Sequence, residues 1–99
     1  MTTNEEDFNT EMIKLRANID IYDSKLLELL GHRMQVSEKI GALKKSKNVA
    51  VLQNKRWNEI LGKMILEGEQ KELSEEFILK LFKAIHQESI SHQEKIINA

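Results

Sequence analysis

Cysteine and proline are absent, and only four glycines occur among the 99 residues. Lack of cysteine excludes disulfides, thiolate nucleophiles and Cys-based zinc sites. Lack of proline removes the strongest helix breaker. Aromatic residues are scarce, at 5%, and leucine, lysine, glutamate and glutamine are plentiful; both favour helix over sheet. An excess of one charge is missing too. Fifteen basic side chains meet sixteen acidic ones, for a formal net charge of -1, so nothing draws the chain as a whole to nucleic acid or to a membrane surface. Residues 1–11 hold Met1 and Phe8 as their only apolar side chains, which makes no signal peptide, and no apolar run approaches the length of a membrane span. The expectation is one cytoplasmic, all-α domain without a nucleic-acid or membrane partner.

What is present is helical periodicity. Residues 1–9 read as a polar, flexible tail, and 10–99 as the domain, with Asn9 or Thr10 as the first N-cap. From Glu11 to about Lys47, apolar residues recur at helical spacing through Met12, Leu15, Ile19, Tyr22, Leu26, Leu29, Val36, Ile40 and Leu43. Ser46 to Ala50 reads as a connection. A second helix is expected from about Leu52 to Glu67, with Gly68 just past its end. Ser74 is the expected N-cap of a third helix, with Glu75 and Glu76 where the helix dipole favours acids.

The first helix is too long for its own domain. About 37 residues at ~1.5 Å each span roughly 55 Å, whereas a compact domain of this size is only about 30 Å across. Its apolar stripe needs a cover, and a second copy supplies one. A chain this short is also marginal as a monomer. A kink at Gly31, or an exposed coiled coil, are the other solutions.

Arranged in sevens, the first helix shows one column of Met12, Ile19, Leu26, Arg33 and Ile40. Beside it runs Leu15, Tyr22, Leu29, Val36 and Leu43, and flanking the first is Arg16, Asp23, Leu30, Ser37 and Lys44. Arg33 thus interrupts an apolar column. Lys44, eleven residues on, returns to nearly the same azimuth. A buried cation is costly unless an anion meets it; the plainer alternative is an arginine that snorkels or pairs with a nearby carboxylate. The third helix repeats the anomaly: its stripe of Ile78, Phe82, Ile85 and Ile96 is broken by Ser89 and Gln93, one turn apart. A solvated helix end would explain those two alone. Two cations and two neutral hydrogen-bonding side chains on inward stripes together point to a polar pocket for an anion, since arginine meets carboxylate bidentately. His32, His86 and His92 lack metal-ligand spacing, and no Gly-rich phosphate loop or nucleophile motif occurs.

The stretch Leu15-Arg16-Ala17-Asn18-Ile19-Asp20-Ile21-Tyr22-Asp23, then Leu26-Leu27-Glu28-Leu29-Leu30, Arg33 and Ile40-Gly41-Ala42-Leu43-Lys44, resembles the first helix of the AroQ-type, all-helical chorismate mutases. The resemblance continues through Arg56 and through Glu88-Ser89 with Gln93, over about residues 11–97. It implies a three-helix protomer with one long N-terminal helix, an intertwined homodimer, and cofactor-free, metal-free conversion of chorismate to prephenate. By position, Arg16 and Arg33 are implied to bind the two carboxylates, Lys44 and Gln93 the ether oxygen, and Ser89 a carboxylate, with Arg56 at the pocket edge. The pattern departs where Gln53 and Trp57 replace a common aspartate and glutamate. Gln53 still hydrogen-bonds a hydroxyl; Trp57 cannot accept one. That variant resembles mutase domains fused to the first synthase of the shikimate pathway, so association with such a synthase is a further expectation. The rival expectations are an isochorismate pyruvate lyase of the same fold, a non-catalytic regulatory or dimerisation domain, and a plain helical interaction module.

A pericyclic, unimolecular rearrangement needs no base, nucleophile or redox group. It needs a flexible dianion held in its reactive form and donors preorganised at the oxygen that gains charge. Gln93 does not titrate, so it can serve at neutral pH.

Overall fold

The computed structural model describes residues 2–99, with side chains from Asn4 onward. Three helices follow one another: α1 Thr2–Lys47, α2 Asn54–Gln70 and α3 Glu75–Ile97. No strand occurs among the described residues, as the residue usage requires. No described helix is long and apolar enough to cross a membrane. The chain divides into two units, Met1–Arg33 and Met34–Ala99.

The first unit is α1 alone. Residues 2–9 are already helical, so α1 begins ahead of the expected cap at Asn9 or Thr10: with no proline or glycine there, nothing stops the helix from extending. Its large apolar side chains are open to solvent; Leu15, Ile19, Tyr22, Leu26 and Leu29 are each more than half exposed. Gly31 sits inside the helix.

The second unit packs the end of α1, α2 and α3. Lys47 is the last residue of α1, one residue beyond the start of the expected connection. Asn48 then takes a left-handed φ of 54°, and the amides of Asn48 and Val49 return to the carbonyls of Lys45 and Lys44, a helix stop that asparagine tolerates well. Helix α2 runs past Gly68 to Gln70, which corrects the expected role of that glycine. The left-handed position is Glu72, at φ 60°. Gly68 is demanded by packing instead: a Cβ there would lie 2.8 Å from Cγ1 of Ile78, a core residue only 3% exposed. Ser74 caps α3 as expected, its Oγ accepting from the Phe77 amide at 3.2 Å. Farther along, Trp57 of α2 stacks on His86 of α3, ring centres 4.1 Å apart.

The face that α1 turns to α3 is not the expected one. Val36, Ile40 and Leu43, from the two apolar columns, are 52%, 42% and 66% exposed. The buried stripe is Met34, Ser37 and Gly41, with Lys44 half-buried beyond them. Gly41 sets this choice. A Cβ on it would lie 2.9 Å from the Cα of Gln93, so only glycine lets the two backbones approach this closely.

Candidate active site

The close approach at Gly41 brings two helices' polar side chains into one cluster. Ser37 and Lys44 stand four residues before and three after Gly41 on α1; Ser89 and Gln93 are one turn apart on α3. Ser37, Ser89 and Gln93 are 4%, 7% and 7% exposed, which decides against a solvated helix end. Each is satisfied within the cluster. The hydroxyls of Ser37 and Ser89 share a hydrogen bond of 2.6 Å that either can donate. Gln93 Nε2 donates to Ser89 Oγ at 3.3 Å. Lys44 Nζ donates to Gln93 Oε1 at 2.9 Å and to the Val51 carbonyl at 2.7 Å. The cation settles the orientation of the Gln93 amide, because only the amide oxygen can accept from it.

Counting donors shows what the cluster offers. An ammonium has three N–H donors and Lys44 uses two; an amide has two and Gln93 uses one. One N–H of each is left for a ligand, from groups already held at 2.9 Å. Burial disfavours the charged form of Lys44 and lowers its pKa from the usual 10.5. An anion or a developing negative charge beside Nζ would relieve that cost. The cluster is therefore a preorganised donor pair with an electrostatic reason to take a negative oxygen.

Polar contacts hold the frame around it. His92 lies between Glu38 of α1, at 3.5 Å, and Glu88 of α3, at 3.1 Å. Lys45 Nζ donates to the Ala99 carbonyl at 2.8 Å, where α3 ends and its dipole favours a cation.

Of the residues singled out in the sequence, Lys44, Ser89 and Gln93 come together here. Gln53 and Arg56 are exposed and line an open groove of about 460 Å³ with Asn54, Lys55 and Glu59; neither hydrogen-bonds to the cluster. Arg33 is half-buried and Arg16 exposed in the N-terminal unit. They stand 17 positions apart on one helix, roughly 25 Å at ~1.5 Å per residue, so a small ligand cannot touch both in one protomer. Sequence reasoning missed Ser37, Gly41 and the Val51 carbonyl. Gly41, a glycine inside a helical pattern, carried a signal of close backbone approach; Ser37 carried none.

Comparison with known proteins gives the chain its relatives. The family model described as chorismate mutase type II matches residues 15–94. A bifunctional chorismate mutase/prephenate dehydratase of Buchnera aphidicola is 32% identical over 89 residues, which are 90% of this chain and 23% of that protein. Bifunctional chorismate mutase/prephenate dehydratases of Escherichia coli and Shigella flexneri are each 28% identical over 86 residues, 87% of this chain and 22% of theirs. The chain thus spans less than a quarter of the length of the curated relatives it matches. These relatives join the mutase to a prephenate dehydratase, which corrects the expected kinship with domains fused to a shikimate-pathway synthase. The Gln53–Trp57 variant was too short a pattern to carry that finer assignment. No solved structure matches the chain closely.

Proposed function

Since this chain belongs to the chorismate mutase type II family, we propose that it rearranges chorismate to prephenate. The single observation that carries the reading beyond family membership is the pair of half-buried Lys44 and buried Gln93, 2.9 Å apart and with one unused N–H on each partner. In the reaction the ether C–O bond breaks as a C–C bond forms, and negative charge grows on the ether oxygen. Lys44 and Gln93 are assigned to that oxygen, where fixed donors in a poorly hydrated site lower the barrier most. Ser89 is assigned to a carboxylate. Arg33 and Arg16 are assigned to the two carboxylates, holding the flexible dianion in its reactive form. Gln53, the N-cap of α2, and Arg56, on its first turn, are assigned to the site's edge, with Gln53 able to meet the substrate hydroxyl.

The working form is proposed to be an intertwined homodimer in the cytoplasm. The uncovered apolar side chains of α1 support the dimer, and so does the distance between Arg16 and Arg33, which one small ligand can meet only with Arg16 drawn from the partner. No cofactor or metal enters the proposed chemistry. The proposed downstream partner is a prephenate-consuming enzyme, in line with the second activity named for the relatives.

The test is loss of chorismate absorbance with purified protein, with the product identified as prephenate. Turnover by the wild type, abolished in Arg33→Ala, is the expected result. A folded wild type that leaves chorismate unchanged, or that consumes isochorismate in its place, overturns the reading.

A further inference from the structure

The Lys44–Gln93 pair is tied to a residue that has been given no part in the chemistry. Ser37 is 4% exposed and, among the described residues, its hydroxyl is hydrogen-bonded to Ser89, at 2.6 Å. Ser89 in turn accepts from Gln93 Nε2, and Gln93 accepts from Lys44. The four side chains form one chain of hydrogen bonds from the α1–α3 seam to the cation.

A hydroxyl has one proton and two lone pairs, so the direction of the 2.6 Å bond matters. If Ser89 donates to Ser37, its proton is spent, and Ser89 offers a ligand nothing. If Ser37 donates, Ser89 accepts twice, from Ser37 and from Gln93, and its own proton is left over. Only the second arrangement gives three unused donors, one each on Lys44, Gln93 and Ser89. An anionic ligand favours the arrangement with more donors facing it.

We propose that Ser37 is a positioning residue for the rearrangement: it donates to Ser89 Oγ, frees the Ser89 proton for the substrate and fixes the Gln93 amide at the angle that aims its second N–H at the ether oxygen. This rests on the mutase reading above. Ser37 touches no substrate; it acts through Ser89.

Three measurements on the full chain test it. In Ser37→Ala, kcat falls about five- to tenfold, the effect of one orienting hydrogen bond, while KM stays within about twofold because ground-state binding is retained. In Ser37→Ala/Ser89→Ala, activity is no lower than in Ser89→Ala alone, since the path from Ser37 to Gln93 is already cut. In 1H–15N spectra without ligand, the side-chain amide pair of Gln93 shifts in Ser37→Ala. Ser37→Cys, of similar volume and with a weak donor, replaces Ser37→Ala should the latter not fold, and is expected between the two. A kcat within twofold of wild type, or losses that multiply in the double variant, overturn the proposal. A wild type inactive on chorismate overturns the mutase reading instead, and the amide pair then decides: unmoved resonances dismiss Ser37 as the residue that positions Gln93.

Discussion

Lys44 is asked to do two opposed things: to sit partly out of water and to stay charged. Desolvation holds its pKa below 10.5, so as pH rises the folded protein sheds this proton before the unfolded chain does. The stability cost of housing the cation is thus full at neutral pH and is relieved between the folded pKa and 10.5. Activity runs the other way, because only the ammonium can stabilise charge on the ether oxygen. The expected profile of kcat/KM has an alkaline limb centred below 10.5, and the limb in kcat lies at higher pH, since a bound dianion favours the cation. A kcat/KM that stays flat past 10.5 would remove Lys44 from the reacting oxygen. Lys44, Ser89 and Gln93 were legible in the sequence because a polar group on an apolar stripe violates a rule with a known energetic cost. Ser37 was not, because a serine on a helix is equally at home in water, and only its partner's burial gives it meaning. Trp57 was half legible: losing a carboxylate there was plain, whereas its stack on His86 depends on the pairing of α2 with α3.

At the scale of the element, two glycines make opposite predictions. Gly62 has no atom within 4 Å of where a Cβ would stand, so Gly62→Ala should stabilise the protein by about 0.5–1 kcal/mol through helix propensity and a less free unfolded chain. Gly41→Ala has the same intrinsic gain but puts a methyl 2.9 Å from the Cα of Gln93 and 3.1 Å from its carbonyl oxygen. Backbone cannot step aside as a side-chain tip can. Overpacking of this kind costs about 1–3 kcal/mol, and the forced separation lengthens the Lys44–Gln93 contact. Chemical denaturation should therefore show the two variants moving in opposite directions, with Gly41→Ala also losing turnover; equal stabilisation by both would mean that α1 and α3 are not held this closely. Element type and number followed from periodicity and caps, and Ser74 was placed correctly. The inward face of α1 did not follow, because periodicity finds the apolar side of a helix but not which of two surfaces will cover it. Val36, Ile40 and Leu43 stay largely exposed, the face left for the proposed second copy, while the intrachain seam is built from Met34, Ser37 and Gly41.

For the whole molecule the question is what covers the remaining apolar side chains. Leu15, Ile19, Tyr22, Leu26 and Leu29 are each more than half exposed; burying five such residues on each of two copies is worth on the order of 20 kcal/mol at about 2 kcal/mol each. That exceeds the roughly 4–15 kcal/mol that association costs, so sedimentation should find a dimer. Arg16 gives the proposed dimer a functional test as well. It is roughly 25 Å along α1 from Arg33, so a site that uses both must draw them from different chains. Arg16→Ala and Lys44→Ala homodimers should each be nearly inactive, for each lacks one required cation in both sites. Refolded together, half of the dimers pair one variant with the other. In these, one site combines the intact Lys44 of the first chain with the intact Arg16 of the second, and the other site carries both defects. The mixture should therefore recover about a quarter of wild-type activity. Donation within one chain predicts none, because every site would then hold one lesion whatever its partner, and verified heterodimers without activity would sink the shared-site arrangement.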